Sequence, residues 1–377
     1  MALPLSKTER LGLALRLVCL TPLLVLIGVL RSTFTALVHG LPFPVYLICA
    51  FLNLMMRNLE AREIQYLCQP TMKTYKNWIS RKRVQERSVD PLASRLSYDV
   101  ESLDDGQSSL LWVGDRRKAQ KIVLFFHGGG YIAPLLLGHL EWCWRAFVMT
   151  GIEMHTEVAV AVLDYTLSPE ARYPVQLCQA ASALSHLLAS GFQPQDIIIG
   201  GDSAGGGLAA QLLCHLAQPY PKAVPIQLTK PLAATFLVSP WLTRCTTDRS
   251  FAENSTIDML SAVLVDKFAT DLFEYDNVTE RDPCLEFPLD LATPFGEFDA
   301  VTKQMFVTAG KYEVFREQCV VFVDRVRCLN PKMELRFDIQ EKMAHDFILL
   351  EGLAGQTGEC VQEMKGWMEG LLAESLE

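Results

Sequence analysis

Residues 196–207 read DIIIGGDSAGGG, and this stretch decides the fold. The β-branched run at 197–199 is typical of a strand buried on both faces of a parallel sheet. A G-x-S-x-G pattern follows at 201–205, and apolar residues then recur from Leu208 onward as they do in a helix. A serine on a tight strand-to-helix turn needs small neighbours, because a Cβ there would collide with the helix. The stretch predicts Ser203 as a nucleophile, although an ordinary glycine-rich turn has the same composition.

A second glycine-rich segment, HGGGY at 127–131, directly follows the apolar run KIVLFF at 121–126. Three consecutive glycines let backbone N–H groups approach a ligand closely, with no side chain in the way. Such donors stabilise a developing oxyanion without having to reorganise during the reaction. The pair of segments therefore predicts a nucleophile that faces an oxyanion hole.

The composition excludes several classes of protein. The chain has 377 residues, is 50% hydrophobic and carries a formal net charge of −9. An acidic chain of this kind argues against nucleic-acid binding, which would need a basic face. Its 7 histidines and 11 cysteines form no C-x-x-C or H-E-x-x-H pattern, so we predict no metal site. The odd number of cysteines leaves at least one thiol unpaired within the chain, and the sequence does not indicate a disulfide framework. The high apolar fraction predicts a membrane-embedded part.

Apolar runs alternate with helical segments along the rest of the chain. Strands are predicted at 121–126, 158–163, 197–199, 233–238, 305–308 and 334–338, and a helix at 176–189. This alternation is typical of a mostly parallel sheet with right-handed crossovers and helices on both faces. We therefore predict an α/β catalytic domain over residues 96–377, with an acidic cap insertion at about 244–298.

The first 40 residues are predicted to form a membrane anchor. Lys7 and Arg10 precede residues 11–30, which contain one charge, Arg16. Twenty residues at about 1.5 Å per residue span roughly 30 Å, the thickness of a hydrocarbon core. Arg16 is close enough to the end of this stretch to reach the headgroups. A cleaved signal peptide would need a shorter apolar core, so we favour a retained single-pass anchor.

A second apolar stretch, residues 41–56, lacks charge and begins with Pro42 and Pro44. It could cross a bilayer, lie in the interface or pack on the catalytic domain, and the prolines favour the last two. We assign residues 41–95 to a helical cap segment. Two sequons, at Asn254 and Asn277, are candidate glycosylation sites and favour a lumenal catalytic domain in the endoplasmic reticulum.

The segments HGGGY, GDSAGG and DYTLSPE together resemble the hormone-sensitive-lipase-like branch of the α/β-hydrolases, over roughly residues 115–350. The resemblance implies an α/β-hydrolase fold. It also implies that the oxyanion hole is formed by the N–H of Ala204 and by two of Gly128, Gly129 and Gly130. In such motifs the histidine at the position of His127 orders the loop and is not the catalytic base.

A triad on this fold has the order serine, acid, histidine. His345, in MAHDF just past the last predicted strand, stands where the family has its catalytic histidine. Glu313 follows the strand MFVTAG at the position where the family most often has an aspartate. The glutamate side chain is longer than that of aspartate but can still hold the imidazole in the required tautomer, so we predict Glu313 as the acid. Glu317 and Asp338 are the rival acids.

The resemblance implies a membrane-anchored carboxylesterase or deacetylase, similar to arylacetamide deacetylases and steryl-acetate hydrolases, which needs no cofactor. Its substrate would be a small acyl ester of a bulky apolar alcohol of sterol or terpenoid kind. Two alternatives stay open. One is an amide or formamide hydrolase with the same triad, and the other is a catalytically silent receptor for a small molecule.

The predicted pocket has two walls. Tyr131 follows the oxyanion glycines and is expected to line the acyl side. The cap is expected to face the alcohol with flexible apolar side chains. These are Leu52, Leu54, Met55 and Met56 from one segment, and Phe251, Leu260, Leu264 and Phe268 from the other.

Overall fold

The structure, a computed structural model, describes residues 5–88, 90–273, 287–290, 295–354 and 358–374. Within these ranges eight strands form one sheet in the order β1-β2-β4-β3-β5-β6-β7-β8. The strands are β1 (Val100–Ser102), β2 (Ser109–Val113), β3 (Lys121–Phe126), β4 (Val158–Asp164), β5 (Ile197–Asp202), β6 (Ala234–Val238), β7 (Gln304–Gly310) and β8 (Glu334–Gln340). The pairs β1–β2 and β2–β4 are antiparallel. The pairs β4–β3, β3–β5, β5–β6, β6–β7 and β7–β8 are parallel. The predicted α/β-hydrolase architecture is confirmed.

Helices cover both faces of this sheet. They are α1 (Lys7–Cys19), α2 (Thr21–His39), α3 (Phe43–Asn58), α4 (Ala61–Leu67), α5 (Thr71–Gln85), α6 (Asp90–Ala93), α7 (Leu137–Cys143), α8 (Thr150–Glu153), α9 (Val175–Ala189), α10 (Ser203–Ala217), α11 (Arg249–Asn254), α12 (Ala262–Leu272), α13 (Phe298–Val301), α14 (Arg316–Leu329), α15 (Phe347–Ala354) and α16 (Glu359–Glu374). Alternate side chains of β3 point to opposite faces, as in any strand. Ile122 and Leu124 pack on the side of α9 and α10, whereas Val123 and Phe125 pack towards α7 and α16.

The predicted apolar span at 11–30 is wrong in its bounds. A break separates α1, which ends at Cys19, from α2, which begins at Thr21. Among the described helices, α2 is the one that is long and apolar enough to cross a membrane, by length and composition alone. The Arg16 guanidinium forms an ion pair with Glu63 and donates to the Asn58 carbonyl at 3.3 Å. This tertiary contact holds α1 against α4, which local hydropathy could not show.

The helices α2 and α3 pack against each other and against the cap insertion. The side of α2 that faces α3 carries small residues, and the Ser32 hydroxyl donates to the Tyr46 carbonyl at 3.1 Å. Arg31 donates to the Ser255 carbonyl at 3.1 Å, and the Asn53 amide donates to the Met259 carbonyl at 3.1 Å. Three placements were open for residues 41–56. The structure shows this segment packed on the catalytic domain, including its cap insertion.

Candidate active site

The nucleophile turn joins β5 to α10, and Ser203 has a φ of 51°. A positive φ at a residue other than glycine is strained and is held only by its surroundings. A Cβ at Gly201 or Gly205 would lie 2.2 or 2.0 Å from the Phe126 carbonyl oxygen, so both positions require glycine. The close approach of β3 to this turn therefore fixes where the Ser203 hydroxyl stands.

His345 lies between β8 and α15 and contacts the nucleophile. Its Nε2 atom is 2.8 Å from the Ser203 Oγ atom, and both side chains are buried. Burial lowers the pKa of His345 to about 3, since the charged imidazolium is desolvated. The resting imidazole is therefore neutral, which is the form that can accept the serine proton.

Glu313 lies on the loop after β7 and is fully buried. Its Oε2 atom accepts hydrogen bonds from the Ser239 hydroxyl at 2.5 Å and from the Gly310 N–H at 2.7 Å. Among the described residues, its Oε1 atom and the His345 Nδ1 atom are both buried without a partner, so a hydrogen bond between them would satisfy both. Burial raises the pKa of Glu313 well above its ordinary value, and the hydrogen bonds from Ser239 and Gly310 offset this rise only in part.

The two rival acids, Glu317 and Asp338, bind other groups of the protein. The Glu317 carboxylate accepts the Ser250 N–H at 3.1 Å on the side of the cap. Asp338 lies on the edge strand β8 and pairs with Arg336. Each therefore has a structural partner of its own.

The oxyanion glycines do not have the same role. The Gly128 N–H donates to the Asp202 carboxylate at 3.0 Å, and a Cβ at Gly128 would lie 2.2 Å from that oxygen. Gly129 and Gly130 have positive φ values of 105° and 61°. Their N–H groups, together with that of Ala204 at the start of α10, are the donors left for an oxyanion. Because the Gly128 N–H is already bound to Asp202, Gly129 and Gly130 are the candidate donors of the three glycines.

Tyr131 does not line the substrate cavity, so its predicted role as a pocket wall is wrong. The side chain is fully buried and its hydroxyl donates to the Gln211 Oε1 atom at 3.4 Å. Its ring packs against Tyr165 and Trp241, behind the glycine loop. The His127 ring stacks on Tyr165 with a centroid distance of 4.4 Å, away from the reacting atoms. Both side chains hold the loop in place.

A cavity of about 250 Å³ opens in front of Ser203 and His345. Apolar side chains make up most of its wall. The predicted cap residues that line it are Leu52, Met55, Met56, Leu260 and Phe268. Leu54 faces a separate groove between α2 and α3, whereas Phe251 and Leu264 pack in the core. Phe51 lines both the cavity and the groove.

Two residues near the site were not predicted from the sequence. Asp258, in the cap insertion, accepts the Val314 N–H at 2.7 Å and the His345 N–H at 3.2 Å. It joins the loop of the acid to the loop of the base. Ser239, directly after β6, donates to Glu313. The position of Ser239 at a strand end is a signal that could have identified it, whereas no motif marks Asp258.

The first glycosylation candidate is incompatible with the fold. Asn254 is 3% exposed, and its amide donates to the Glu313 carbonyl at 2.9 Å. An attached glycan would remove this contact and could not be accommodated. The second candidate, Asn277, lies outside the described residues.

Comparisons with known proteins agree with this geometry. A family model described as alpha/beta hydrolase fold matches residues 123–349. An esterase of Acinetobacter venetianus is 28% identical over 227 residues, which are 59% of this chain and 68% of that protein. An arylacetamide deacetylase of Oryctolagus cuniculus is 23% identical over 272 residues, with coverages of 56% and 66%. The crystal structure of EstE5 soaked with p-nitrophenyl butyrate has a TM-score of 0.59 at 20% identity, with coverages of 81% and 100%.

Proposed function

The chain belongs to the alpha/beta hydrolase family, and on that premise we propose that it is a serine carboxylesterase that removes small acyl groups from bulky apolar alcohols. The observation that carries this proposal is the 2.8 Å contact between Ser203 Oγ and His345 Nε2 at the wall of an apolar cavity. A silent receptor would have no need of a base beside the hydroxyl. The names of the relatives, an esterase and a deacetylase, support the same reaction class.

The reaction proceeds through an acyl-enzyme. His345 accepts the proton of Ser203 while the serine oxygen attacks the ester carbonyl. The N–H groups of Gly129, Gly130 and Ala204 stabilise the tetrahedral oxyanion, and Glu313 stabilises the imidazolium. His345 then protonates the leaving alcohol. Water, activated by the same imidazole, hydrolyses the acyl-enzyme and restores the free serine.

The size of the cavity supports a small acyl group. Sites that enclose a drug-sized ligand have volumes of roughly 300–1,000 Å³. The cavity here, at about 250 Å³, is below that range. It holds a short acyl group and the reacting ester, so a bulky alcohol must extend past its opening. Phe51, which is 43% exposed, lies at the boundary with the apolar groove between α2 and α3.

The exposed surface of α2 supports docking on a membrane. Leu23, Ile27, Leu30, Phe34 and Leu37 are exposed and recur at helical spacing, so they form one apolar stripe. Exposed apolar patches of this kind mark interaction sites or membrane contacts. Phe51 lines both the cavity and the groove between α2 and α3, so α2 lies close to the cavity. We infer that α2 inserts its stripe into one leaflet, from which an apolar ester reaches the site. Two sequons favoured a lumenal catalytic domain, and the one at Asn254 is buried. The proposal of a lumenal domain therefore depends on the sequon at Asn277.

The test of substrate class is a series of esters of one alcohol with increasing acyl length. Acetate or propionate should have the highest kcat/KM, with a fall of at least about tenfold by octanoate, because added methylenes exceed the cavity. A matched series of acetates should show no such fall as the alcohol grows. A preference for octanoate would contradict the proposal and reverse the orientation of the ester.

The double variant Leu30→Glu with Phe34→Glu should detach the enzyme from phosphatidylcholine vesicles. These side chains are 63% and 69% exposed, and burying each in lipid contributes about 1.5–3 kcal/mol, so we expect binding to weaken about 100-fold or more. Vesicle flotation measures this change. Turnover of a water-soluble acetate ester should be unchanged, whereas turnover of a vesicle-borne ester should fall.

The control for this experiment is Val321→Glu, an exposed apolar position on α14. It should float with the vesicles as the unmodified enzyme does. If the double variant still floats, the stripe on α2 is not the membrane contact.

A further inference from the structure

A buried cluster of titratable side chains lies behind the nucleophile and has no part in the mechanism above. It consists of Asp202 at the end of β5, His139 on α7 and Asp346, which directly follows the catalytic base. Their ligating atoms all lie within 4.8 Å of one another, and all three residues are buried. Two carboxylates cannot both be ionised at this separation inside a protein, so the cluster must hold a proton or a cation.

The hydrogen bonds of His139 show whether the cluster holds a proton or a metal cation. Its Nδ1 atom accepts the Leu136 N–H at 3.1 Å, so in the neutral ring Nε2 carries the hydrogen. That Nε2–H donates to the Asp202 Oδ2 atom at 3.2 Å. Both ring nitrogens of His139 are therefore engaged in hydrogen bonds, and neither has a free lone pair for a metal ion. The cluster thus has no nitrogen ligand for a metal.

The same bonds show which carboxyl group is ionised. The Oδ2 atom of Asp202 accepts two hydrogen bonds, from His139 and from the Gly128 N–H, as a carboxylate does. Among the described residues, its buried Oδ1 atom and that of Asp346 have no donor. A carboxyl oxygen of Asp346 lies within 4.8 Å of a carboxyl oxygen of Asp202. Since Asp202 already accepts two hydrogen bonds as a carboxylate, a proton on Asp346 would supply the missing donor for this pair.

We propose that Asp346 carries a proton at neutral pH and donates it to Asp202, and that this bond sets the position of the catalytic base. Asp346 has a φ of 55°, so the turn that presents His345 is strained and needs an external restraint. Asp202 is joined to the nucleophile turn and, through Gly128, to the oxyanion loop. One shared proton thus connects the nucleophile turn, the oxyanion loop and the loop that carries His345. Asp346 is a positioning residue, since it acts through His345.

The electrostatics agree with this assignment. Burial raises the pKa of Asp346 well above its ordinary value, and the Asp202 charge raises it further. Burial also disfavours the Asp202 carboxylate, but the hydrogen bonds from His139 and the Gly128 N–H favour it, and its pKa is lowered. The other titratable groups facing the pair are Cys49 on α3, Cys143 on α7, Tyr165 directly after β4, His127, Glu313 and His345.

The pair should leave a signature in stability as well as in activity. Above the ordinary pKa of an aspartate the unfolded chain holds no proton on these residues, whereas the native pair holds one. This contribution to stability is complete at low pH and is lost as the pH rises through the raised pKa of Asp346. Above that pH two adjacent carboxylates repel each other and displace His345, so kcat should fall on the alkaline side.

The experiment compares Asp346→Asn with Asp346→Ala and rests on the esterase activity proposed above. An amide can donate to Asp202 at any pH, so Asp346→Asn should retain most of the activity at neutral pH. It should also move the alkaline limb of kcat upward by about one pH unit or more and flatten the pH dependence of Tm. Asp346→Ala leaves Asp202 without its donor and should lower kcat by about 10- to 100-fold, with little change in KM.

Each outcome decides the proposal. If Asp346→Asn is as impaired as Asp346→Ala, the residue is required as an anion and the shared proton is wrong. Unchanged pH profiles of kcat and Tm in Asp346→Asn, or a stoichiometric metal in the purified enzyme, would equally overturn it. The pH dependence of Tm needs no substrate, so this part stands even if the enzyme hydrolyses no ester. Asp338→Asn, on the edge strand, is the matched control and should leave both profiles unchanged.

Discussion

Replacing Ser203 with alanine is expected to abolish ester hydrolysis, with kcat falling by about four to six orders of magnitude. The hydroxyl is the group that His345 contacts at 2.8 Å, and its removal leaves no nucleophile at the cavity wall. Stability should be little affected, because the backbone of the turn is held by Gly201 and Gly205 against β3. Hydrolysis of a chromogenic acetate ester and the Tm of the purified variant measure the two effects.

Ser80→Ala provides the control for this variant. Ser80 is exposed on α5 and its hydroxyl donates to the Lys76 carbonyl within the same helix. It should retain full activity and full labelling by a fluorophosphonate probe, whereas Ser203→Ala should retain neither. Activity that survives in Ser203→Ala after removal of host esterases would show that another residue is the nucleophile.

Replacing Glu313 with glutamine should lower kcat by about three to four orders of magnitude while changing KM little. The amide is nearly isosteric, and its oxygen can still accept the hydrogen bonds from Ser239 and Gly310. The amide nitrogen would then face His345 Nδ1, which favours the tautomer with hydrogen on Nε2. That tautomer cannot accept the serine proton. Steady-state kinetics on a soluble acetate ester separate the two parameters.

Two matched variants test the choice of acid. Asp338→Asn and Glu317→Gln make the same chemical change at the rival carboxyl groups, which have partners in Arg336 and in the Ser250 N–H. We expect both to stay within a few-fold of the unmodified enzyme. If Asp338→Asn is inactive and Glu313→Gln is active, the acid has been wrongly assigned.

The sheet and the nucleophile turn were predictable because their causes are local. A β-branched run at 197–199 forms a buried strand by itself, and the glycines that flank Ser203 are required by a backbone contact with the preceding strand. The order of serine, acid and histidine then follows from the order of the parallel strands. His345 and Glu313 were predicted from the resemblance to the family, and each follows a strand that ends at the same edge of the sheet.

Other features depend on contacts between segments distant in the sequence, which no local pattern encodes. Tyr131 follows the oxyanion glycines, but its side chain is buried in the core. Its ring packs against Tyr165 and Trp241, and its hydroxyl donates to Gln211. The break between α1 and α2 accompanies the ion pair of Arg16 with Glu63.

The sequence by itself determined the fold class, the nucleophile turn and the kinds of side chain at the ends of the strands. Only the tertiary structure decided that Gly128 is committed to Asp202, that Asp258 joins the loops of acid and base, and that Asp346 lies against Asp202. The physical reason is that a polar group removed from water must find a partner within hydrogen-bond distance. Which partner it finds depends on how the strands and helices pack.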